Sequence, residues 1–178
     1  RMNNGKISVR YARTLFSYAK KEKEEIIVYK QLCLLTDSFS GYQQQLNYAL
    51  TSPAVKTKEK IKLLETACGE NISKCLSRFM EFLVENKREE YIYVISLVYQ
   101  DLYRKENNVL KSDITSATLL SSDSIEKINK FISTTFNSTV EMNTTVNPNL
   151  IGGFIIDIQQ NRLDASISGK LISLKKTL

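Results

Sequence analysis

The 178-residue chain contains no histidine and no tryptophan, and it has only two prolines and three cysteines. The absence of histidine removes the commonest general base and the commonest metal ligand. Cys33, Cys68 and Cys75 are odd in number and do not have the spacing of paired metal ligands. The sequence therefore supports no catalytic, cofactor-binding or metal-binding residues, and an enzyme remains an alternative with no residue set behind it.

Long hydrophobic runs are also missing. No stretch of about 18 apolar residues occurs, so we expect no direct insertion into a membrane. The first residues lack the continuous apolar core of a signal peptide, which predicts a cytoplasmic protein, dissolved or bound peripherally to something larger. The net charge of +6 suits an anionic partner.

The first hundred residues carry helical periodicity. Leu76, Phe79, Met80 and Leu83 fall at the spacing of one buried helical stripe, and similar stripes recur before and after them. These stripes predict a bundle of five or six short helices. The predicted helices span residues 7–21, 24–39, 55–68, 73–86 and 89–106, with a further short helix at 42–50.

The periodicity changes at Asn107-Asn108. Residues 109–118 and 139–146 alternate as strands do, and residues 121–136 between them have a helical stripe. The order strand, helix, strand, strand, helix predicts a small α/β domain. The predicted fold is therefore mostly α, with an N-terminal helical bundle at 2–107 and a small α/β C-terminal domain at 108–178.

The stretch from Asn147 to Leu171 carries the strongest local signals. Residues 150–158 read as an apolar strand that Gly152 and Gly153 interrupt, which suggests a bulge or the close approach of another backbone. Asn161-Arg162 reads as a tight turn, and Asp164 or Ser166 as the cap of a final helix that ends at Leu178. A phosphate-binding or dinucleotide-binding loop does not fit these glycines, so we interpret them as architecture.

A basic run suggests an alternative function. Lys56, Lys58, Lys60 and Lys62 are spaced two apart, so on a helix they surround the axis instead of forming one stripe. A solvated surface is the simplest interpretation, and contact with nucleic acid or acidic lipid is the other. A small basic nucleic-acid-binding adaptor is therefore retained as the alternative function.

Five segments of the sequence, taken in order, match the motifs of one protein family. They are Arg10 to Phe16 followed by Ala19, Ser52 to Val55 with Lys58 and Lys60, Phe82 to Arg88, Asn147 to Phe154, and Asp164 to Ile167 with Lys170-Leu171. With these segments the chain resembles the ATP synthase delta subunit family, the bacterial counterpart of the mitochondrial oligomycin-sensitivity-conferring protein, which implies a non-catalytic subunit without a cofactor. Asp157 departs from the family, which usually carries a basic or amide residue there, and Gln159-Gln160 replaces its glycine-containing turn.

The resemblance implies a structural stator subunit of a rotary proton-translocating ATP synthase, peripheral on the cytoplasmic side of the bacterial inner membrane. It implies that the helical bundle binds the N-terminal helix of an alpha subunit of the catalytic head, in a groove between the first and fifth helices. It also implies that the C-terminal domain binds the C-terminal end of b-type stalk subunits, with no nucleic acid as partner. Our candidates for the head contact are Tyr11, Leu15, Tyr18, Tyr91 and Ile95.

Overall fold

A computed structural model of the chain describes residues 2–159 and 161–167, with the backbone alone at residues 2–4. The chain divides into two compact units, Arg1–Lys105 and Glu106–Leu178, a division two residues before the predicted one. Helices dominate the first unit, and a helix and a four-stranded mixed sheet form the described part of the second. The predicted fold class is confirmed.

The first unit is a helical bundle whose third, fourth and fifth helices match the predicted ones closely. Two predictions were wrong in detail: the first helix begins five residues earlier than expected, and the two helices expected on either side of Gly41 form one kinked element. The kink is at Tyr42, where φ is −135° and ψ is 31°. The helices are α1 (Met2–Glu22), α2 (Glu25–Thr51), α3 (Thr57–Ala67), α4 (Lys74–Glu85) and α5 (Ile92–Glu106), with a 3₁₀ turn at Glu89–Tyr91 before α5.

Helix α4 shows how the sequence produces the bundle. The Ser73 hydroxyl accepts a hydrogen bond from the Leu76 backbone N–H at 3.1 Å, which caps the helix start. The predicted apolar stripe of α4 is buried in the core. Gln31 of α2 also binds this cap residue, because its side-chain oxygen accepts a hydrogen bond from the Ser73 backbone N–H at 3.1 Å.

Tyr99 of α5 is the largest fully buried side chain of the described core. Its ring meets the Phe16 ring of α1 edge-on, with centroids 5.4 Å apart. Its hydroxyl donates to the Glu25 carbonyl of α2 at 3.2 Å. Burial raises the pKa of the Tyr99 hydroxyl, and the nearby Glu25 carboxylate adds to the effect, so the hydroxyl keeps its proton and remains a donor. One side chain thus joins three helices.

The second unit is built around strand β1 (Val109–Ser116). β1 pairs in parallel with β2 (Thr139–Val146) and antiparallel with β3 (Phe154–Ile158), and β3 pairs antiparallel with β4 (Asn161–Asp164). Helix α6 (Ser122–Phe136) connects the two parallel strands, as a parallel pair requires. The strand order is β2-β1-β3-β4, and the small core of this unit contains Ile114, Ile132 and Ile156.

Two predictions for the end of the chain were wrong. Leu150-Ile151 precedes the strand instead of forming part of it. Asn161-Arg162 begins β4 instead of forming a turn, and the chain reverses just before it, where Gln159 has a φ of +53°. Of the two predicted cap residues, Asp164 is the last residue of β4 and Ser166 directly precedes the helical residue 167. Residue 167 is helical, and the remainder of the predicted final helix lies outside the described residues.

No helix in residues 2–159 or at residue 167 combines the length and the apolar character needed to cross a bilayer. Within the same described residues, no cluster of three or more histidine, cysteine, aspartate or glutamate side chains is arranged to hold a metal ion.

Gly153 tests the packing of the second unit. Its φ is +82°, and a Cβ added there would lie 2.3 Å from the Ala165 carbonyl oxygen, so backbone would have to move. We predict that Gly153→Ala destabilises this unit by roughly 2–5 kcal/mol, the sum of a left-handed alanine and an overpacked contact. A Cβ at Gly152 meets only the flexible end of Ile167, at 2.7 Å. Gly152→Ala is therefore the milder control, and equal losses in urea unfolding would contradict this account.

Cys68 at the end of α3 predicts a pH dependence. Burial, with the Glu65 carboxylate, raises the pKa of its thiol from 9.0 to about 12. A raised folded-state pKa stabilises the folded chain fully below the unfolded value, and this contribution is lost as pH rises from 9.0 towards about 12. In this pH range the free energy of unfolding should fall by up to about 1.4 kcal/mol per pH unit because of this thiol. We expect the variant Cys68→Ala to lack this part of the decrease.

The measurement is urea unfolding at about pH 8 and about pH 10, with Cys33→Ala as control. Wild type and Cys33→Ala should lose more stability than Cys68→Ala between the two pH values. Identical losses in all three proteins would show that the Cys68 thiol does not resist ionisation.

Candidate partner-binding surfaces

The candidate tyrosines of α1 face α4. The Tyr11 ring lies 6.4 Å from the Phe79 ring and 6.1 Å from the Phe82 ring, centroid to centroid. The Tyr18 hydroxyl accepts a hydrogen bond from the Arg78 guanidinium at 3.2 Å. Both tyrosines therefore lie on the flank of α1 away from α5, outside a groove between the first and fifth helices.

Leu15 and Ile95 are core residues, and the candidate list needs correction for them. Each is 0% exposed, so neither can contact a partner that docks on the bundle surface. Leu15 lies with Ala12 and Ala19 on the buried stripe of α1. The apolar periodicity that suggested these residues marks the core.

Tyr91 is the candidate that remains beside α5. It is half-buried at the end of the 3₁₀ turn, and the Arg88 guanidinium carbon lies 5.9 Å from its ring centroid. Its hydrogen bond with the Glu90 carboxylate raises the pKa of the Tyr91 hydroxyl. The five candidates are therefore not brought together at one surface.

The flank of α1 opposite its tyrosines carries other apolar residues. Val9 is half-buried and lies seven residues before Phe16, so the two stand on one side of the helix, and Phe16 meets Tyr99 of α5. On α5, Gln100 donates to the Leu32 carbonyl of α2, and Tyr91, Val94 and Val98 lie away from that flank of the helix. We call the region beside the Phe16–Tyr99 contact the α1/α5 groove, and its candidate lining is Val9, Phe16, Tyr91, Val94 and Val98.

Sequence reasoning missed most of the α1/α5 groove. Val94 is 42% exposed, although it lies in a helix whose neighbouring positions fill the core. The seven-residue spacing of Val9 and Phe16 could have indicated this flank of α1, but the predicted candidates Tyr11 and Tyr18 lie on the other flank. A surface with an apolar centre is the kind that binds an amphipathic helix.

Basic residues accompany the apolar ones on α1. The helix contains five basic residues and one acidic residue, Glu22. Arg10 and Arg13 are exposed and lie close to Val9 along the helix. The electrostatic potential beside the α1/α5 groove therefore favours a partner with acidic side chains.

The C-terminal unit also has exposed apolar side chains. Phe131 on the outer side of α6 is 64% exposed, which is unusual for a phenylalanine in a folded domain. The large apolar side chains exposed in the described part of this unit are Leu119, Phe131, Phe136, Val146, Ile151, Leu163 and Ile167.

The motif residues at the end of the described chain have structural roles. The Asp164 carboxylate accepts hydrogen bonds from the backbone N–H and the hydroxyl of Ser166, and these bonds lower the pKa of Asp164. Gly153 lets the backbone of Ala165 approach, and Gly152 lies against Ile167. These contacts fix the path of the chain from β4 into the helical residue 167.

Asp157, which departs from the family pattern, lies opposite Arg162 in the β3–β4 pair. Its carboxylate oxygen is 3.8 Å from the Arg162 Nε, and the Arg162 and Asp157 side chains are 63% and 41% exposed. Such a pair contributes at most about 1 kcal/mol, so Asp157 serves the local strand pairing.

The lysine run does not form one exposed surface. Lys60 is 8% exposed, and its ammonium group donates to the Glu89 carboxylate at 2.7 Å. Its charge is therefore paired inside the bundle, whereas Lys56, Lys58 and Lys62 are exposed, so the run offers three exposed charges instead of four.

Comparison with known proteins extends these observations. The profile of the family described as ATP synthase delta (OSCP) subunit matches residues 7–178. The ATP synthase subunit delta of Phocaeicola vulgatus is 36% identical over 173 residues, covering 97% of this chain and 93% of the relative. That of Parabacteroides distasonis is 35% identical over 177 residues, covering 99% and 98%.

A more distant relative and a solved structure are also similar to this chain. The ATP synthase subunit delta of Clostridioides difficile is 27% identical over 172 residues, covering 97% of this chain and 95% of the relative. A chain in the cryo-EM structure of the Toxoplasma gondii mitochondrial ATP synthase hexamer has the same fold, with a TM-score of 0.70, 20% identity and 96% coverage of both chains.

The resemblance found in the sequence is thereby confirmed. The family profile spans nearly the whole chain, and relatives above 30% identity cover it almost completely. The chain belongs to the ATP synthase delta (OSCP) subunit family, a family of non-catalytic subunits of the ATP synthase complex.

Proposed function

We propose that the chain is a stator subunit that links the catalytic head of an ATP synthase to its peripheral stalk. It associates with the other subunits peripherally, on the cytoplasmic side of the bacterial inner membrane. Its family membership supports a place in the ATP synthase, and the bacterial relatives support the setting. The linking role requires two separate binding surfaces and no catalytic group.

The observation that carries this proposal is the α1/α5 groove. The half-buried Phe16 forms its floor, with Val9 and Val94 at its two sides. The buried Tyr99 ring lies behind Phe16, with ring centroids 5.4 Å apart, so an entering side chain finds a rigid apolar surface. A helix with apolar residues at three- and four-residue spacing fits such a surface.

The N-terminal helix of an alpha subunit of the head is the proposed occupant. The basic residues of α1 predict that this helix carries acidic residues beside its apolar stripe, so its binding weakens as ionic strength rises. Apolar contacts at the floor supply most of the affinity, and the charges mainly steer association.

The C-terminal unit is the proposed attachment for the C-terminal end of b-type stalk subunits. Its exposed apolar side chains, with Phe131 of α6 and Leu163 of β4 among them, provide area for a helix to bury. The two attachments bear load in series, so the weaker one limits the torque that the link can hold. Nanomolar affinity, about −12 kcal/mol, is a reasonable requirement for each.

A matched pair of substitutions on α1 tests the head contact. Val9 and Ile7 are both half-buried and two residues apart, but Ile7 shares its flank with Tyr11, towards α4. We predict that Val9→Glu weakens binding of an alpha-subunit N-terminal peptide at least about tenfold, or 1.4 kcal/mol. The cause is a carboxylate placed on the apolar side of the α1/α5 groove, where it must lose water.

Ile7→Glu introduces the same charge on the other flank and should leave the affinity within about twofold. Isothermal titration calorimetry on the full chain measures both affinities, and circular dichroism checks that both variants fold. Equal weakening by the two substitutions would rule out the α1/α5 groove as the specific site.

A further inference from the structure

A cavity of about 630 Å³ lies at one end of the helical bundle, and it shares no residue with the α1/α5 groove. It is lined where α2 ends, where α3 begins and where α4 gives way to the 3₁₀ turn. We call it the end cavity. Its lining includes charged side chains and the apolar residues Pro53, Val55 and Val84.

A buried ion pair forms part of the wall. The Lys60 ammonium and the Glu89 Oε1 are 2.7 Å apart, and the two side chains are 11% and 10% exposed. The pair joins α3 to the 3₁₀ turn and holds the Glu89 carboxylate in a fixed position. Burying both ions costs several kcal/mol, which their attraction offsets only if the remaining polar atoms are also satisfied.

One of those atoms is not satisfied within the described residues. The Glu89 Oε2 is buried and has no hydrogen-bond partner there, although Oε1 of the same carboxylate is paired. A buried acceptor without a donor costs about 1–3 kcal/mol. A donor that enters the end cavity would remove this cost, and the gain would appear as binding free energy.

The charge of the lining specifies a cationic donor. Glu85, Glu89 and Glu90 face the cavity with Lys60 and Lys87, which leaves one negative charge in excess. The apolar residues Val55 and Val84 lie in the same lining and suit the methylene groups of a long side chain. A guanidinium also offers several N–H donors in a plane, so it can bond more than one carboxylate oxygen.

We propose that the end cavity binds an arginine side chain of a partner polypeptide, with its guanidinium donating to the Glu89 Oε2. The methylene groups of the arginine pack on Val55 and Val84. The first unit then has a second attachment point besides the α1/α5 groove, and arginine binding there is independent of what the groove binds.

The experiment uses the full chain labelled with ¹⁵N and the acetylated, amidated peptide Ala-Arg-Ala. The matched peptide replaces arginine by citrulline, which has nearly the same shape and no charge. We expect saturable shifts of the Val55, Lys87 and Glu90 amide signals with millimolar affinity for the arginine peptide. The citrulline peptide should bind at least about tenfold more weakly.

Three variants locate the binding. Val55→Trp fills the end cavity without replacing either residue of the ion pair and should abolish the shifts, whereas Ala54→Trp, at an exposed neighbour outside the lining, should preserve them. The double variant Lys60→Met with Glu89→Met replaces the ion pair by apolar side chains of similar size, which commonly leaves folding intact. It should also lose the response to arginine.

The proposal is overturned if the arginine peptide gives no saturable shift up to about 10 mM. It is equally overturned if the citrulline peptide binds as well, or if Val55→Trp or the folded double variant keeps the response. The amide shifts are measured only on the wild type and on variants whose spectra are resolved, as those of folded proteins are. A misfolded variant therefore cannot be mistaken for one that has lost or kept arginine binding.

Discussion

The helical bundle depends on the burial of Tyr99. Its ring fills the space between α5 and α1, and its hydroxyl satisfies the Glu25 carbonyl at the start of α2. Since the desolvated hydroxyl keeps its proton, this hydrogen bond persists through neutral pH. The same ring packs behind Phe16 of the α1/α5 groove, so one side chain supports both the core and the proposed binding surface.

The proposed function follows from how α1 divides its apolar residues. Its central stripe fills the core, and one flank contacts α4 through Tyr11 and Tyr18. The other flank carries Val9 and Phe16, which are only half-buried. The proposed binding needs apolar surface beyond the core, which α1 offers in half-buried side chains and α6 in the exposed Phe131.

The sequence predicted what periodicity and local capping determine. The stripe and the Ser73 cap of α4 were readable because they depend on residues within one helix. The β4 strand was not, since Asn161-Arg162 has the local preference of a turn, and pairing with Asp157 and its neighbours in β3 overrides it. Lys60 looked exposed because its partner, Glu89, is 29 residues away in the sequence.

The candidate site was predicted less well than the fold, for a physical reason. Core positions and binding positions are both apolar in an amphipathic helix, so periodicity cannot separate Leu15 from Val9. Only the positions of α4 and α5 around α1 distinguish a buried stripe from a free flank. The family resemblance suggested the helices of the proposed contact, and the side-chain contacts narrowed the candidate residues.

The central claim is that one chain binds the head and the stalk at the same time through different units. The direct measurement is sedimentation velocity of the full chain mixed with an alpha-subunit N-terminal peptide and a soluble b-type stalk fragment, each carrying its own dye. Co-sedimentation of both dyes with the chain, at affinities within about twofold of those for each partner alone, is the predicted result. Displacement of one partner by the other would contradict the account.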